Sequence, residues 1–297
     1  MKPPTATLRS VAERAPIGYV VVACFLSFAC YNLVPGSGTA ADVARTAAGA
    51  LCAVALLAVG DPAALRPRSG QSVVRLCVWL VAVACAVGAG SLLASGVFDV
   101  AAPIAPGAAA GAGAGPSLSP GVGGQGSAAA AAVAGQLVPF VSLCLATGLF
   151  EEALFRGVMF RGFACASEAS GRANPLLWAA AVSAGVFGVL HVSGGPPAVP
   201  PDAVVLAQAV LKPVQAALFG FVMAGVFARS HNLWLACGLH AAFNALSEGP
   251  LFLASGYLPA TYLTGSVADA VLLAVGSALL VPAAVKARTW LAGACIL

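Results

Sequence analysis

Apolar residues fall in long blocks along this chain, without the strict alternation of a half-buried strand or the narrow stripe of a soluble amphipathic helix. The blocks are Ile17–Val34, Thr46–Val59, Leu76–Val97, Leu137–Cys165, Pro175–Val192, Ala203–Ala228, Leu233–Leu246 and Val267–Val285. A helix needs roughly 20 apolar residues to cross a hydrocarbon core. The pattern predicts an all-α, polytopic membrane bundle of about eight transmembrane helices. The first block has a rival reading as a cleaved signal peptide, but no clear A-x-A site follows it, so it is read as a retained span. The second block is short, and Arg45 at its start is expected to snorkel. Gly194-Gly195-Pro196-Pro197 ends the fifth.

The polar positions divide the chain. Residues 1–100 form an N-terminal three-helix membrane region. Residues 101–136 are almost wholly Ala, Gly, Pro and Ser, with no Lys or Arg, and read as a low-complexity linker. Residues 137–247 form a core, and 248–297 a last membrane helix and tail.

Composition removes the alternatives. Hydrophobic residues make up 60% of the 297 and charged residues only 8%. A soluble domain carries about 25% charged residues, and a disordered chain needs low hydrophobicity with high charge. Both are excluded. The net charge of +4 leaves no nucleic-acid footprint, so the expected partners are membrane lipids and a protein or peptide substrate. Basic residues alternate from one inter-block segment to the next. Lys2, Arg9 and Arg14, then Arg66, Arg68 and Arg75, then Arg161 and Arg172, then Arg229, then Lys286 and Arg288 fall on one side. Asp42, Asp99, Asp202 and Glu248 fall on the other. The positive-inside rule then predicts both termini inside. Most of the nine cysteines lie within apolar blocks and read as small apolar residues, not as a disulfide framework.

Ionisable groups within a span usually mark function. Three clusters qualify. Glu151, Glu152 and Arg156 lie in the fourth block. Glu152 and Arg156 are i,i+4 with the acid first, the favoured ion-pair order. Glu151 lies about 100° around the helix from Glu152. One carboxylate is therefore expected to be neutralised while the other faces a cavity, where desolvation suits a general base. Phe187 and His191 lie in the fifth block, and His240 and Asn244 share a helix face in the seventh. Taken singly, each cluster also reads as ordinary packing glue between helices. Helix rise puts all three at roughly 13–24 Å from the inner end. One carboxylate, two imidazoles and an amide near mid-membrane make a hydrolytic set. Glu151 would activate water, His191 would hold that water or a metal, and His240 with Asn244 would donate to an oxyanion.

E-E-x-x-x-R, F-x-x-x-H and H-x-x-x-N, in that order on separate helices, resemble the CPBP family, also called Abi or CAAX prenyl protease 2. The matching residues are Glu151-Glu152…Arg156, Phe187…His191 and His240…Asn244, with Phe155-Arg156-Gly157 and Asn232-Leu233-Trp234 resembling bacterial-type members. The likeness implies an intramembrane endopeptidase that cuts near the inner leaflet, with a substrate that is prenylated in the eukaryotic members. It implies Glu151 as base, His191 as its partner, His240 and Asn244 as the oxyanion site, and Glu152 and Arg156 as support. A metalloprotease label goes with the family, and so does a metal-free glutamate mechanism. There is no H-E-x-x-H here, yet Glu151, His191 and His240 could supply three zinc ligands with an open position. A non-catalytic immunity or scaffold protein of the same fold is the alternative. A proton-coupled transporter is disfavoured, since the halves show no inverted repeat. A bacterial inner membrane is the expected compartment, with plastid and endoplasmic-reticulum membranes as alternatives.

Overall fold

The structure is a computed structural model, and it describes residues 4–68, 70–95, 126–192, 199–255 and 261–293. Those residues are helical with short connections, and no strand occurs among them. Each apolar block is a helix. A short helix α1, Pro4–Arg14, precedes α2, Pro16–Asn32, and α3, Thr39–Gly60. A 3-10 turn, Pro62–Leu65, leads to α4, Val74–Ala94. Then come α5, Gly126–Glu152, a π-helical segment, Ala153–Phe160, and α6, Arg161–Ala169. The last four are α7, Pro175–Leu190, α8, Ala203–Ser230, α9, Leu233–Ser255, and α10, Val267–Gly293.

Five helical stretches are long and apolar enough to cross a membrane: Thr39–Gly60, Val74–Ala94, Gly135–Ala169, Ala203–Ser230 and Val267–Gly293. Pro16–Asn32 and Pro175–Leu190 are shorter apolar helices. The side chains on the outside suit this. Phe25 is 70% exposed, Leu51 69% and Val138 69%. In water such a surface would be strongly unfavourable, whereas lipid tails make it the normal exterior.

Local chemistry sets the helix ends. Pro16 and Pro175 begin α2 and α7, where a missing N–H is harmless. The Asp202 carboxylate caps α8, accepting from Val204 N at 2.9 Å and Val205 N at 2.8 Å. Helix α3 starts seven residues ahead of its apolar block, and that changes Arg45. Its guanidinium pairs with Asp42 at 3.2 Å and bonds the carbonyls of Val34 and Gly36, so it folds back on the α2–α3 turn and does not snorkel. Helix α5 begins at Gly126, so the last part of the stretch read as linker is helical, while 101–125 lies outside the described residues.

The helices run alternately up and down. One end of the bundle gathers the end of α3, the start of α4, the start of α6 and the α8–α9 turn. There Arg161 Nε meets Asp61 Oδ2 at 2.6 Å, and Gln71 N donates to the Arg229 carbonyl at 2.9 Å. Trp234 Nε1 donates to the Leu65 carbonyl at 2.9 Å. His231 closes α8 with φ +51°, a left-handed conformation that a histidine tolerates better than most residues. Burial, then the charges of Arg68 and Arg161, hold its pKa below the ordinary 6.5. The folded state therefore favours the neutral ring. That contribution is complete above about pH 6.5 and is lost as pH falls through the lower folded value. The thermal midpoint should accordingly drop between about pH 7.5 and about pH 5.5. His231→Asn, which keeps the left-handed turn, should flatten the drop, and equal slopes would contradict the assignment.

The core threads the middle of the bundle, from Leu57 and Leu80 through Leu154 and Phe160 to Met223 and Leu280. Helix α5 packs on α3 and α9, and α8 packs on α7 and α10. Two close approaches matter for the site. A Cβ on Gly148 of α5 would stand 2.6 Å from the Cys237 carbonyl and 2.9 Å from the Ala241 nitrogen of α9. A Cβ on Gly188 of α7 would stand 2.6 Å from the Pro213 carbonyl of α8. Small residues at these crossings let backbones touch. Gly148→Ala should cost about 1–3 kcal/mol by overpacking and lower the thermal midpoint in detergent. Gly185→Ala, which meets nothing within 4 Å, is the neutral control.

Candidate active site

The α5–α9 crossing at Gly148 brings the acidic pair of one helix against the His240 turn of the other. The two carboxylates separate as their 100° offset requires. Glu152 is fully buried, and the Glu151 side chain keeps 20% of its surface. Glu152 Oε2 lies 3.1 Å from Arg156 Nε. The two atoms are in ion contact without hydrogen-bond alignment, and both are buried with no bonded partner. Coulomb attraction does not need that alignment, so the pairing stands. Arg156 Nη2 donates to the Gly220 carbonyl at 2.9 Å, and the guanidinium lies 5.1 Å from the centre of the Phe187 ring.

The other oxygen of Glu152 is 2.7 Å from His240 Nδ1. An ionised carboxylate only accepts, so Nδ1 carries the proton and His240 is held in one orientation. Its Nε2 then faces Glu151 Oε2 at 3.4 Å. Arg156, Glu152, His240 and Glu151 thus form a chain running from the dry core to a cavity. Glu152 is more than a partner for Arg156, because it also sets the tautomer of His240. Sequence spacing gave no sign of this bond, which joins residues 88 positions apart.

His191 caps α7. Its Nδ1 lies 2.8 Å from the Phe187 carbonyl, which makes Nδ1 the donor and leaves Nε2 as the ring's acceptor. Tyr262 fixes the turn by donating to the carbonyls of His191 and Val192 at 2.6 and 2.8 Å. Phe187 organises three groups at once. Its ring centre is 4.5 Å from that of His191 and 6.3 Å from that of His240, and it underlies Arg156. This gives a physical reason for a phenylalanine four residues before the histidine.

A cavity of about 780 Å³ is lined by Glu151, His191, Asn244 and Glu248, together with Asp42, Thr46 and Tyr31. Asn244 follows His240 by one helical turn, and Glu248 follows Asn244 by another. The apolar block ends at Leu246, which puts Glu248 on an outer segment. The helix instead continues through Pro250 to Ser255, so Glu248 stands on the same face as His240 and Asn244. The i, i+4, i+8 spacing was the available signal. A second cavity of about 340 Å³ shares Asn244 and Glu248 and adds Lys212, Gln215 and Asp269.

Among the described residues no group of three His, Cys, Asp or Glu side chains is placed to hold a metal ion. His240 gives one ring nitrogen to Glu152 and turns the other to Glu151.

A bundle of apolar helices with a charged chain leading from its core to a cavity lined by polar groups defines a class: multi-pass membrane proteins with ionisable groups in their interior. Residues 133–246 go further and match the family model for type II CAAX prenyl endopeptidase Rce1-like proteins, so that stretch is similar to this family. The stretch contains Glu151, Glu152, Arg156, Phe187, His191, His240 and Asn244, and ends two residues before Glu248. No curated protein and no solved structure matches the chain.

Proposed function

We propose that this chain is an intramembrane endopeptidase in which Glu151 activates the attacking water. One observation carries the reading: Glu151 shares a cavity with His191 and Asn244, while its neighbour Glu152 is sealed in the core on Arg156 and His240. Adjacent carboxylates in such different surroundings suit different work.

In this mechanism the water lies between Glu151 and the acceptor Nε2 of His191. Glu151 takes a proton as the water oxygen bonds to the peptide carbonyl carbon. The Asn244 amide donates to the oxyanion, and so does His240 through Nε2 when its ring is doubly protonated. Glu151 then returns the proton to the departing amine, the C–N bond breaks, and the base is regenerated. No step passes through a metal.

Eight spans with both termini inside remain our proposal for the topology. This changes the expected depth of the cut. The cavity is lined by the end of α2 and the start of α3, at the other end of the bundle from Arg75, Arg229 and Lys286. With the basic end inside, the cut falls in the outer half of the membrane, away from the inner leaflet suggested by family resemblance. The test is purified protein in bilayers with a panel of transmembrane and prenylated peptides, wild type beside Glu151→Ala, products read by mass spectrometry. Cleavage by wild type alone supports the reading. An Ala variant that still performs the cellular role, with no peptide cut by either protein, would leave a non-catalytic membrane protein.

A further inference from the structure

We propose that the pocket between α4, α8 and α10, at the basic end of the bundle, binds the phosphate-bearing headgroup of an anionic membrane lipid. The pocket has a volume of about 550 Å³. Three cations from three helices line it: Arg75 in the first turn of α4, Arg229 in the last turn of α8, and Lys286 on α10. Among the described residues none of the three has a carboxylate within 4.0 Å. Like charges gathered this way repel one another unless an anion sits among them.

Arg229 points to the same conclusion. Its Nε is buried with no hydrogen-bond partner, although the guanidinium is otherwise held 4.9 Å from the centre of the Trp290 ring. The Lys286 amine lies 5.8 Å from the same ring. Trp79 closes the other side, and its Nε1 donates to the Leu279 carbonyl at 2.9 Å, tying α4 to α10. The ring of Trp290 thus positions two of the cations, and the Trp79 bond fixes the wall beside the third.

The ligand chemistry follows from the lining. Guanidinium forks suit phosphate oxygens, which accept several N–H bonds at once. Tryptophans belong at the depth where headgroups meet tails. Basic pockets between membrane helices at the inner face suit anionic headgroups. A lipid is favoured over free phosphate because exposed apolar residues flank the mouth. Val78 is 62% exposed and Val285 58%, and they offer a path for acyl chains. This inference rests on the membrane reading and is independent of the protease reading.

The experiment uses the full chain in phosphatidylcholine nanodiscs, titrated with phosphatidylglycerol. Thermal midpoint and lipid adducts by native mass spectrometry are recorded. Arg75 and Lys286 are exposed, so Arg75→Gln/Lys286→Gln should fold. At roughly fivefold in affinity per cation, the double variant should bind the lipid about 25-fold more weakly. Arg172→Gln/Arg288→Gln removes the same charge outside the pocket and should bind as wild type does. An unchanged affinity in the pocket variant would overturn the site, as would an equal loss in the control variant. Stabilisation by inorganic phosphate matching that by the lipid would overturn the lipid assignment.

Discussion

Glu151→Gln is expected to lower kcat/KM for peptide cleavage by about 10²–10⁴-fold, the contribution of a positioned general base. The folded state should hardly notice. The Glu151 side chain is one-fifth exposed, and it lies 3.4 Å from His240 Nε2. A glutamine keeps the shape and hydrogen-bonding of the position and removes only the proton acceptor. Glu152→Gln, one residue on, should behave the other way. The amide oxygen can still accept from His240 Nδ1, so part of the activity survives. The buried Arg156 loses its counter-charge, so the thermal midpoint falls. Measuring both variants for rate and midpoint separates the two roles. If Glu151→Gln loses activity only in step with its stability, Glu151 is not the base.

Arg156→Met should be the most damaging single change to stability, at about 3–5 kcal/mol. Arg156 is 1% exposed, and it offsets the charge of a fully buried Glu152. Removing the guanidinium strands that carboxylate between the Phe155–Phe187 packing and His240. It also leaves the Gly220 carbonyl without its donor. The ion pair itself need not be favourable relative to an apolar replacement. The double variant Glu152→Gln/Arg156→Met should therefore recover most of the loss. Unfolding of the two singles and the double, in one detergent, gives the coupling directly. Additive losses would mean that the two side chains act separately and that the 3.1 Å contact carries little energy.

The residues of the site were legible because their chemistry is local. Glu152 and Arg156 pair along one helix, and Phe187 with His191 and His240 with Asn244 each fall one turn apart. Lipid-facing blocks made the helices legible too, since a span must be apolar over its whole length. What the sequence hid was non-local. The Glu152–His240 bond needs the α5–α9 crossing, and the crossing needs Gly148, which looks like any other glycine in a chain that has 34. Glu248 lies beyond the apolar block, so hydropathy alone puts it outside the helix. In the bundle, neighbouring helices allow α9 to continue through Pro250.

The π-helical segment Ala153–Phe160 acts as a phase shifter. Upstream, the rotation of α5 is dictated by α9, since Glu151 and Glu152 must both reach His240. Downstream, the rotation of α6 is dictated by α3, since Arg161 must reach Asp61. A helix of fixed pitch could satisfy both demands only by coincidence. The wider turns hold surplus residues that absorb the angular mismatch, so each end keeps its own register. The reactive end and the charged end of one continuous rod are thereby indexed independently, and sequence drift at one end need not disturb the angle of the other.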